Sequence, residues 1–170
     1  MIVMEKKVVE STKGLSGMLK AFKSMMQGLG LGPTTKIVFV GNPGTCTPFI
    51  ELFAYTVRDL VKGMAFVPDG IVEDARAIWL VNGVGMQIGG AIDPQGADYV
   101  VLLGGLSMPG SKVNPEQADK LIGRLMKPGG KVIGVCFMDM FCKAGWEDKP
   151  RFDLVMNADI NPVTVARFEQ

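Results

Sequence analysis

Two short apolar runs, residues 36–40 (KIVFV) and 98–103 (DYVVLL), constrain the fold more than any other feature of this sequence. Neither run alternates between apolar and polar residues, and such continuous runs are typical of strands covered by protein on both faces. Each is followed by a glycine-rich loop and then by apolar residues at helical spacing. These runs therefore predict a buried sheet between two layers of helices.

The rest of the chain continues this alternation of strand and helix. Apolar segments at residues 64–67, 77–81 and 131–137 predict further strands, whereas residues 83–93 are glycine-rich and carry no clear pattern. Alternation implies parallel neighbouring strands. The last two segments, residues 152–156 and 163–168, lack an intervening helix and predict a hairpin. The sequence thus predicts an α/β, three-layer Rossmann-like fold: a mostly parallel sheet with helices on both faces and an antiparallel C-terminal edge.

The length of 170 residues predicts one domain over residues 1–170. Residues 1–32 are interpreted as an N-terminal strand and helix packed on the sheet, in which residues 1–9 could add an edge strand. The helix carries an apolar stripe rich in methionine, interpreted as core; an interaction surface is the alternative.

Composition excludes several classes of function. The net charge is +1 with no basic stripe, which argues against a nucleic-acid binder. The apolar runs are too short to span a bilayer and we find no signal peptide, so no membrane association is predicted. Three cysteines without a disulfide framework indicate a cytoplasmic protein. The chain has no histidine, which excludes Ser-His-Asp and Cys-His catalysis and His-ligated zinc.

In an open parallel sheet, ligands bind beyond the carboxyl ends of the strands. The loops expected there, residues 41–48, 104–110 and 136–141, concentrate glycines, hydroxyl side chains and two of the three cysteines, with the third at residue 142. The first loop also leads into a helix N-terminus, which favours anions; a purely structural turn is the alternative. The candidate cofactor-binding residues are Gly41, Asn42, Gly44, Thr45, Thr47, Gly104, Gly105 and Ser107.

The candidate catalytic residues are Cys46, Cys136 and Asp139. Cys46 precedes a helix in a loop, so we expect exposure and a lowered pKa. Cys136 lies near the end of a buried strand, where burial should raise its pKa. Asp139 is the carboxylate best placed to face a ligand, and Cys142 is expected in the core. No C-x-x-C spacing is present, and no metal site is predicted.

Three resemblances can be drawn. Residues 98–109 and 125–133 resemble the fourth strand, helix and fifth strand of class I S-adenosylmethionine methyltransferases, which implies that cofactor, with Asp69 as the candidate for binding its ribose. Residues 134–138 resemble the nucleophile turn of the glutamine-amidotransferase-like fold. Residues 46–52, 103–109 and 135–146 more closely resemble an uncharacterised family of small proteins from methanogenic archaea, which implies a shared site and a cytosolic location but no activity.

Three functions remain open. The leading hypothesis is a small-molecule binder, for a nucleotide or another anionic cofactor. The second is a non-catalytic protein that forms a homo-oligomer through its methionine-rich first helix. The third is an enzyme, either methyltransferase-like or dependent on a cysteine. A binder should have a pocket at the three loops, whereas an interaction protein should have an exposed apolar patch on the first helix.

Overall fold

A computed structural model describes residues 5–169, which form four α-helices, two short 3₁₀ helices (Val72–Asp74 and Gly104–Ser107) and a seven-stranded sheet. The helices are α1 (Gly14–Gly28), α2 (Thr47–Val57), α3 (Pro115–Leu125) and the single turn α4 (Met140–Lys143). The strands are β1 (Lys36–Gly41), β2 (Gly63–Pro68), β3 (Arg76–Val81), β4 (Gly85–Ala91), β5 (Ala97–Leu103), β6 (Met126–Phe137) and β7 (Leu154–Ala158).

The sheet has the order β4-β3-β2-β1-β5-β6-β7. Strands β2, β1, β5, β6 and β7 pair in parallel, whereas β3 pairs antiparallel with both β2 and β4. The predicted fold class is confirmed: a mostly parallel α/β sheet with helices and one antiparallel edge. The antiparallel edge, however, consists of β3 and β4 and does not lie at the C-terminus.

The C-terminal hairpin was predicted wrongly. After β6 the chain crosses over through α4, so that β7 lies beside β6 and parallel to it. Residues 163–168 belong to no strand. The predicted N-terminal edge strand is also wrong for residues 5–9, which are not in a strand; residues 1–4 lie outside the described residues.

The true hairpin joins β3 to β4 at Asn82-Gly83, so that β4 lies within residues 83–93, the segment without a clear pattern. The N–H of Val84 donates to the carbonyl of Val81 at 3.0 Å, which closes a β-turn. Gly83 has a φ of 75°, a left-handed value that side chains resist. An Asn-Gly pair between apolar segments is a hairpin signal, and here it outweighs the irregular glycine spacing that follows.

Two apolar clusters cover the two faces of the sheet. On one face α1 and α2 bury a cluster centred on Phe22, Phe39 and Phe53. On the other face α3 and α4 cover Val100, Leu102 and their neighbours. The methionine stripe of α1 is core, as interpreted, because Met18 and Met26 are buried in the first cluster. Within residues 5–169 we find no helix long and apolar enough to cross a membrane.

Polar contacts fasten the amino ends of the central strands. The carboxylate of Asp98 accepts from the backbone N–H of Lys36 at 2.8 Å and pairs with the Lys127 ammonium group. The Tyr99 hydroxyl donates to the carbonyl of Leu29 at 2.7 Å, which ties the end of α1 to β5. These groups lie at the edge of the sheet opposite the three glycine-rich loops, so their contribution is to stability.

Candidate functional site

The strand order reverses between β1 and β5. From β1 the chain crosses through α2 to β2 on one side, and from β5 it crosses through α3 to β6 on the other. Loops that leave adjacent parallel strands in opposite directions open a crevice between them, the usual ligand position in doubly wound sheets. Residues 41–48 and 104–110 flank this crevice.

The three predicted loops lie together at this edge of the sheet. The side-chain N–H of Asn42 donates to the carbonyl of Gly105 at 2.6 Å, which bridges the crevice. A Cβ on Gly105 would lie 2.5 Å from the Cys46 sulfur, and one on Gly104 would lie 2.6 Å from the Cβ of Cys136. The glycine pair therefore permits a close approach, and the groups that approach are cysteine side chains of the same chain.

A small cavity of about 250 Å³ opens beside this bridge. Its polar lining comes from three loops: Asn42 and Thr45 follow β1, Asp69 follows β2, and Ser111 and Lys112 precede α3. Met108, Pro109 and Gly110 complete the lining. The residues that line the cavity at the switch point of the sheet thus include one aspartate, one lysine, one asparagine and two residues with hydroxyl groups.

Asp69 is held in this cavity by a strained backbone. Its φ is 52°, a left-handed value that is energetically unfavourable for residues that carry a side chain. Its N–H donates to the carbonyl of Gly41 at 2.9 Å, which fixes the end of β2 to the end of β1. The position is maintained by the strand ends and keeps the carboxylate at the cavity wall.

The other predicted residues of the first two loops have local roles. The N–H of Gly44 donates to the Thr47 hydroxyl at 3.2 Å, and the Ser107 hydroxyl donates to the carbonyl of Gly104 at 2.8 Å. A Cβ on Gly41 would lie 2.7 Å from the Cβ of Cys46. Of the eight candidate binding residues, Asn42 and Thr45 are the two that line the cavity.

The cysteines are not arranged as activated nucleophiles. Cys46 is buried, and burial raises the pKa of its thiol, so the expected exposure and lowered pKa were wrong. Burial likewise raises the pKa of the Cys136 thiol, as predicted. Cys142 is exposed and not part of the core, and a hydrogen bond with the Glu147 carboxylate raises its pKa to about 11. Within residues 5–169 no three His, Cys, Asp or Glu side chains cluster as metal ligands would.

Asp139 belongs to a second polar cluster at the end of β6. The backbone N–H of Asp139 and the thiol of Cys136 both donate to the Asn157 side-chain oxygen, at 2.7 and 3.5 Å. The Asp139 carboxylate lies 3.9 Å from the Lys6 ammonium group. Left-handed φ angles fall on Met138 and Asp139, and not on Cys136, so the strained turn lies beyond the cysteine.

Comparison with known proteins identifies the family. Residues 13–161 match the model of DUF2124, described as uncharacterised proteins conserved in archaea. The chain belongs to the DUF2124 family. An uncharacterised protein of Methanothermobacter thermautotrophicus is 43% identical over 148 residues, 84% of this chain and 94% of the relative. Another, from Methanocaldococcus jannaschii, is 37% identical over 158 residues, 93% of each chain.

The fold is shared by a solved structure. The crystal structure of a protein of unknown function from Methanothermobacter thermautotrophicus has a TM-score of 0.85 and 36% identity, and it covers 96% of this chain and 100% of its own. The predicted resemblance to a family from methanogenic archaea is therefore confirmed. The DUF2124 match ends at residue 161, so the last nine residues lie beyond the part that defines the family.

Sequence reasoning missed three residues that the fold brings to this edge of the DUF2124 sheet. Ser111 and Lys112 lie in a loop that was read as ending at residue 110, although it continues to the helix cap at Asn114. Asn157 was placed in a hairpin, whereas it lies in β7 beside Cys136. The signal for the first two was the absence of any strand or helix pattern before Asn114.

Proposed function

We propose that this protein binds a small phosphorylated sugar or nucleotide in the cavity at the switch point of its sheet. The single observation that carries the proposal is the convergence of Asp69, Lys112, Thr45 and Asn42 on one cavity. These groups come from three separate loops, and the cavity lies where this kind of sheet binds its ligands.

The role of Asp69 is to accept hydrogen bonds from the hydroxyls of a ribose. A carboxylate after the second strand of a doubly wound sheet takes this position relative to a nucleotide. Its strained backbone supports the assignment, because residues held in sparsely populated conformations cluster at functional sites.

Lys112 and Thr45 supply the contacts for a phosphate. Lys112 lies at the cavity wall and carries the positive charge, and Thr45 lies beside the start of α2, whose dipole favours an anion. A cavity of about 250 Å³ matches a ribose phosphate better than a whole dinucleotide, since drug-sized ligands occupy roughly 300–1,000 Å³.

The rival hypotheses are less well supported. A cysteine-dependent enzyme needs an accessible thiolate, and burial raises the pKa of both Cys46 and Cys136. The methyltransferase likeness rests on residues 98–109 and 125–133 and gains nothing from the C-terminus, because β7 pairs in parallel with β6 and residues 163–168 form no strand. The apolar stripe of α1 from Met18 to Leu29 packs against the core, which leaves little of it for contact with another protein.

Thermal unfolding in the presence of inorganic phosphate, ribose 5-phosphate, AMP and S-adenosylmethionine tests the proposal. A ligand at a hundredfold excess over its Kd stabilises the fold by about 2.7 kcal/mol. For a chain of this size that corresponds to a Tm increase of roughly 5–10 °C. We expect the increase with AMP and ribose 5-phosphate and a smaller one with phosphate.

Three variants separate a specific site from general anion binding. Lys112→Ala should weaken AMP binding about tenfold, because it removes one charge-assisted hydrogen bond. Lys120→Ala, which removes an exposed lysine of α3, should leave AMP binding unchanged. Asp69→Asn keeps a residue that tolerates the left-handed backbone and should weaken ribose 5-phosphate but not inorganic phosphate. Equal affinities for Lys112→Ala and Lys120→Ala, or no shift with any probe, would refute the proposed site.

A further inference from the structure

We infer that residues 162–169 form a strap that closes over a groove beside α2 of the same chain. In the structure the strap is exposed, and so are apolar side chains that line the groove. Closure covers both surfaces at once. It is a conformational change of the chain itself and is independent of the ligand proposed for the switch point.

The strap has apolar side chains on both of its sides when it is extended. The side chains of Val163, Val165 and Phe168 are 77%, 99% and 95% exposed. The sequence Val-Thr-Val-Ala-Arg-Phe is rich in residues that favour extended, buried positions and lacks the composition of a disordered tail. Successive side chains of an extended chain point to opposite sides. The two valines therefore share one side with Arg167 and Glu169, and Phe168 lies on the other.

The receiving surface, which we call the α2 groove, lies between α2 and the β3–β4 turn and has a volume of about 790 Å³. It extends along the helix from Pro48 to Arg58. Both walls carry exposed apolar side chains, namely Leu52 and Tyr55 on α2 and Leu80 and Val84 beside the turn. A chain with apolar side chains on both sides fits a groove with apolar side chains on both walls.

The fold brings the strap to the Pro48 end of the groove. Ala158, the last residue of β7, pairs with Phe137. The Phe137 ring packs on the ring of Phe49, with centres 4.5 Å apart, and Pro48 precedes Phe49 in α2. The path from Ala158 across these contacts to Pro48 is roughly 18 Å, which about five residues of extended chain span. The strap therefore enters the groove at the start of α2.

The rest of the strap matches the groove in length and in the order of its charges. From Pro48 to Arg58 the helix spans about 15 Å, the length of about five extended residues. The part of the strap left after the path to Pro48 has about this length. In the direction of entry, Glu51 comes before Arg58 on the groove wall. Arg167 comes before Glu169 on the strap. Entry from this end places opposite charges beside each other, whereas the reverse direction would place like charges together.

The tether selects the strap of the same chain as the occupant. A segment held by a short flexible linker beside its site has an effective concentration on the order of millimolar. At micromolar protein, the strap of a second copy is far more dilute than the tethered one. The charge order also fits the direction that the tether imposes. The α2 groove is therefore filled from within the chain.

Disulfide trapping tests the docked position. The variants carry Cys142→Ser, which removes the exposed thiol, and are oxidised mildly at low micromolar protein. Val165→Cys with Leu52→Cys should form a disulfide within one chain, identified by mass spectrometry. Val165→Cys with Lys120→Cys is the matched control, because Lys120 is an exposed helical residue on the opposite face of the sheet. We expect the first pair to form at least about ten times faster, because the tether holds it in contact.

A charge exchange tests the direction of entry. Arg167→Glu should slow the formation of the disulfide between positions 165 and 52, and addition of Glu51→Arg should restore the rate. The proposal is overturned by equal rates for the two cysteine pairs, by a disulfide that joins two chains, by no disulfide, or by a charge exchange that restores nothing.

Binding of a dye that fluoresces on apolar surfaces tests whether the strap covers the groove. Deletion of residues 162–170 leaves the DUF2124 match intact and should increase the fluorescence, because the lining of the groove becomes accessible. Val165→Asp should increase it too. Val8→Asp, at a valine that is 73% exposed near the other terminus, should leave it unchanged. A strap that does not close would itself bind dye, so an unchanged or lower fluorescence after the deletion would overturn the proposal.

Discussion

The packing of Cys46 against Gly105 makes a prediction that can be worked out atom by atom. In Gly105→Ala the new Cβ would lie 2.5 Å from the Cys46 sulfur, well inside ordinary van der Waals contact, and Gly105 has no left-handed φ to add strain. Overpacking of this kind costs about 1–3 kcal/mol. Cys46→Ala removes the buried sulfur and should cost about 1 kcal/mol in lost burial and cavity.

The double variant should be more stable than the sum of the two changes. Without the sulfur, the nearest atom to the methyl group introduced at position 105 is the Asn42 side-chain nitrogen at 3.4 Å, an ordinary contact, and the methyl fills the space that the sulfur left. We expect a favourable coupling of about 1–3 kcal/mol. The measurement is urea unfolding followed by circular dichroism for the four members of the cycle, with equal m-values as the check on the two-state comparison.

Gly104→Ala supplies the matched control. Its new Cβ would meet the Cβ of Cys136 at 2.6 Å, a contact that Cys46→Ala does not relieve. Its cycle with Cys46→Ala should therefore be additive within about 0.5 kcal/mol. If the Gly105 cycle were additive as well, the sulfur would not be what requires a glycine at this position, and the explanation of the glycine pair would be wrong.

Three further predictions concern side chains outside the cavity. Tyr99→Phe leaves the carbonyl after α1 without its 2.7 Å donor and should lower the free energy of unfolding by about 1–2 kcal/mol in urea; an unchanged midpoint would contradict this. Burial acts to raise the pKa of Asp98. The hydrogen bond and charge of Lys127, together with the hydrogen bond from the Lys36 backbone N–H, outweigh burial and hold the pKa below its usual value. The stabilisation by the Asp98 carboxylate is therefore complete above about pH 5 and lost as the pH falls through the folded pKa. The difference in free energy of unfolding between wild type and Asp98→Asn should shrink in acid, and a constant difference would refute this prediction. Iodoacetamide should modify Cys142 before the two buried thiols, at a rate that rises up to about pH 11. Glu147→Gln should speed the reaction of Cys142 near neutral pH. Labelling of a buried thiol first would overturn the assignment.

The sequence predicted the elements whose signals are local. The continuous apolar runs indicated β1 and β5, because burial on both faces removes any need for polar residues in those strands. The start of α3 also has a local signal, the Asn-Pro-Glu-Gln sequence of residues 114–117. Asn114 accepts from the Gln117 N–H and the Gln117 side chain accepts from the Asn114 N–H, a capping box that depends on residues three positions apart.

Features that depend on distant contacts were not readable. The strand preference of residues 163–168 is real, but without a neighbour in its own chain the segment forms no strand, since ladder partners and burial decide β structure. Cys46 shows the same limit in the site. Its place before a helix suggested exposure. It is buried because Gly41 and Gly105, which lie 64 positions apart in the sequence, have no side chains in the space that the Cys46 side chain occupies.

The bridge between Asn42 and Gly105 also sets a condition on how any ligand enters between β1 and β5. A group that moves deeper than the cavity has to take over the 2.6 Å hydrogen bond or leave the Gly105 carbonyl without a donor. Breaking such a bond costs about 0.5–1.5 kcal/mol. Molecules in which Asn42 and Gly105 have separated therefore make up roughly a tenth to a third of the population. A ligand that carries its own N–H donor avoids this loss of affinity. The crevice therefore favours ligands with an amide or amino group, such as the edge of a nucleobase, over a bare sugar phosphate of the same charge.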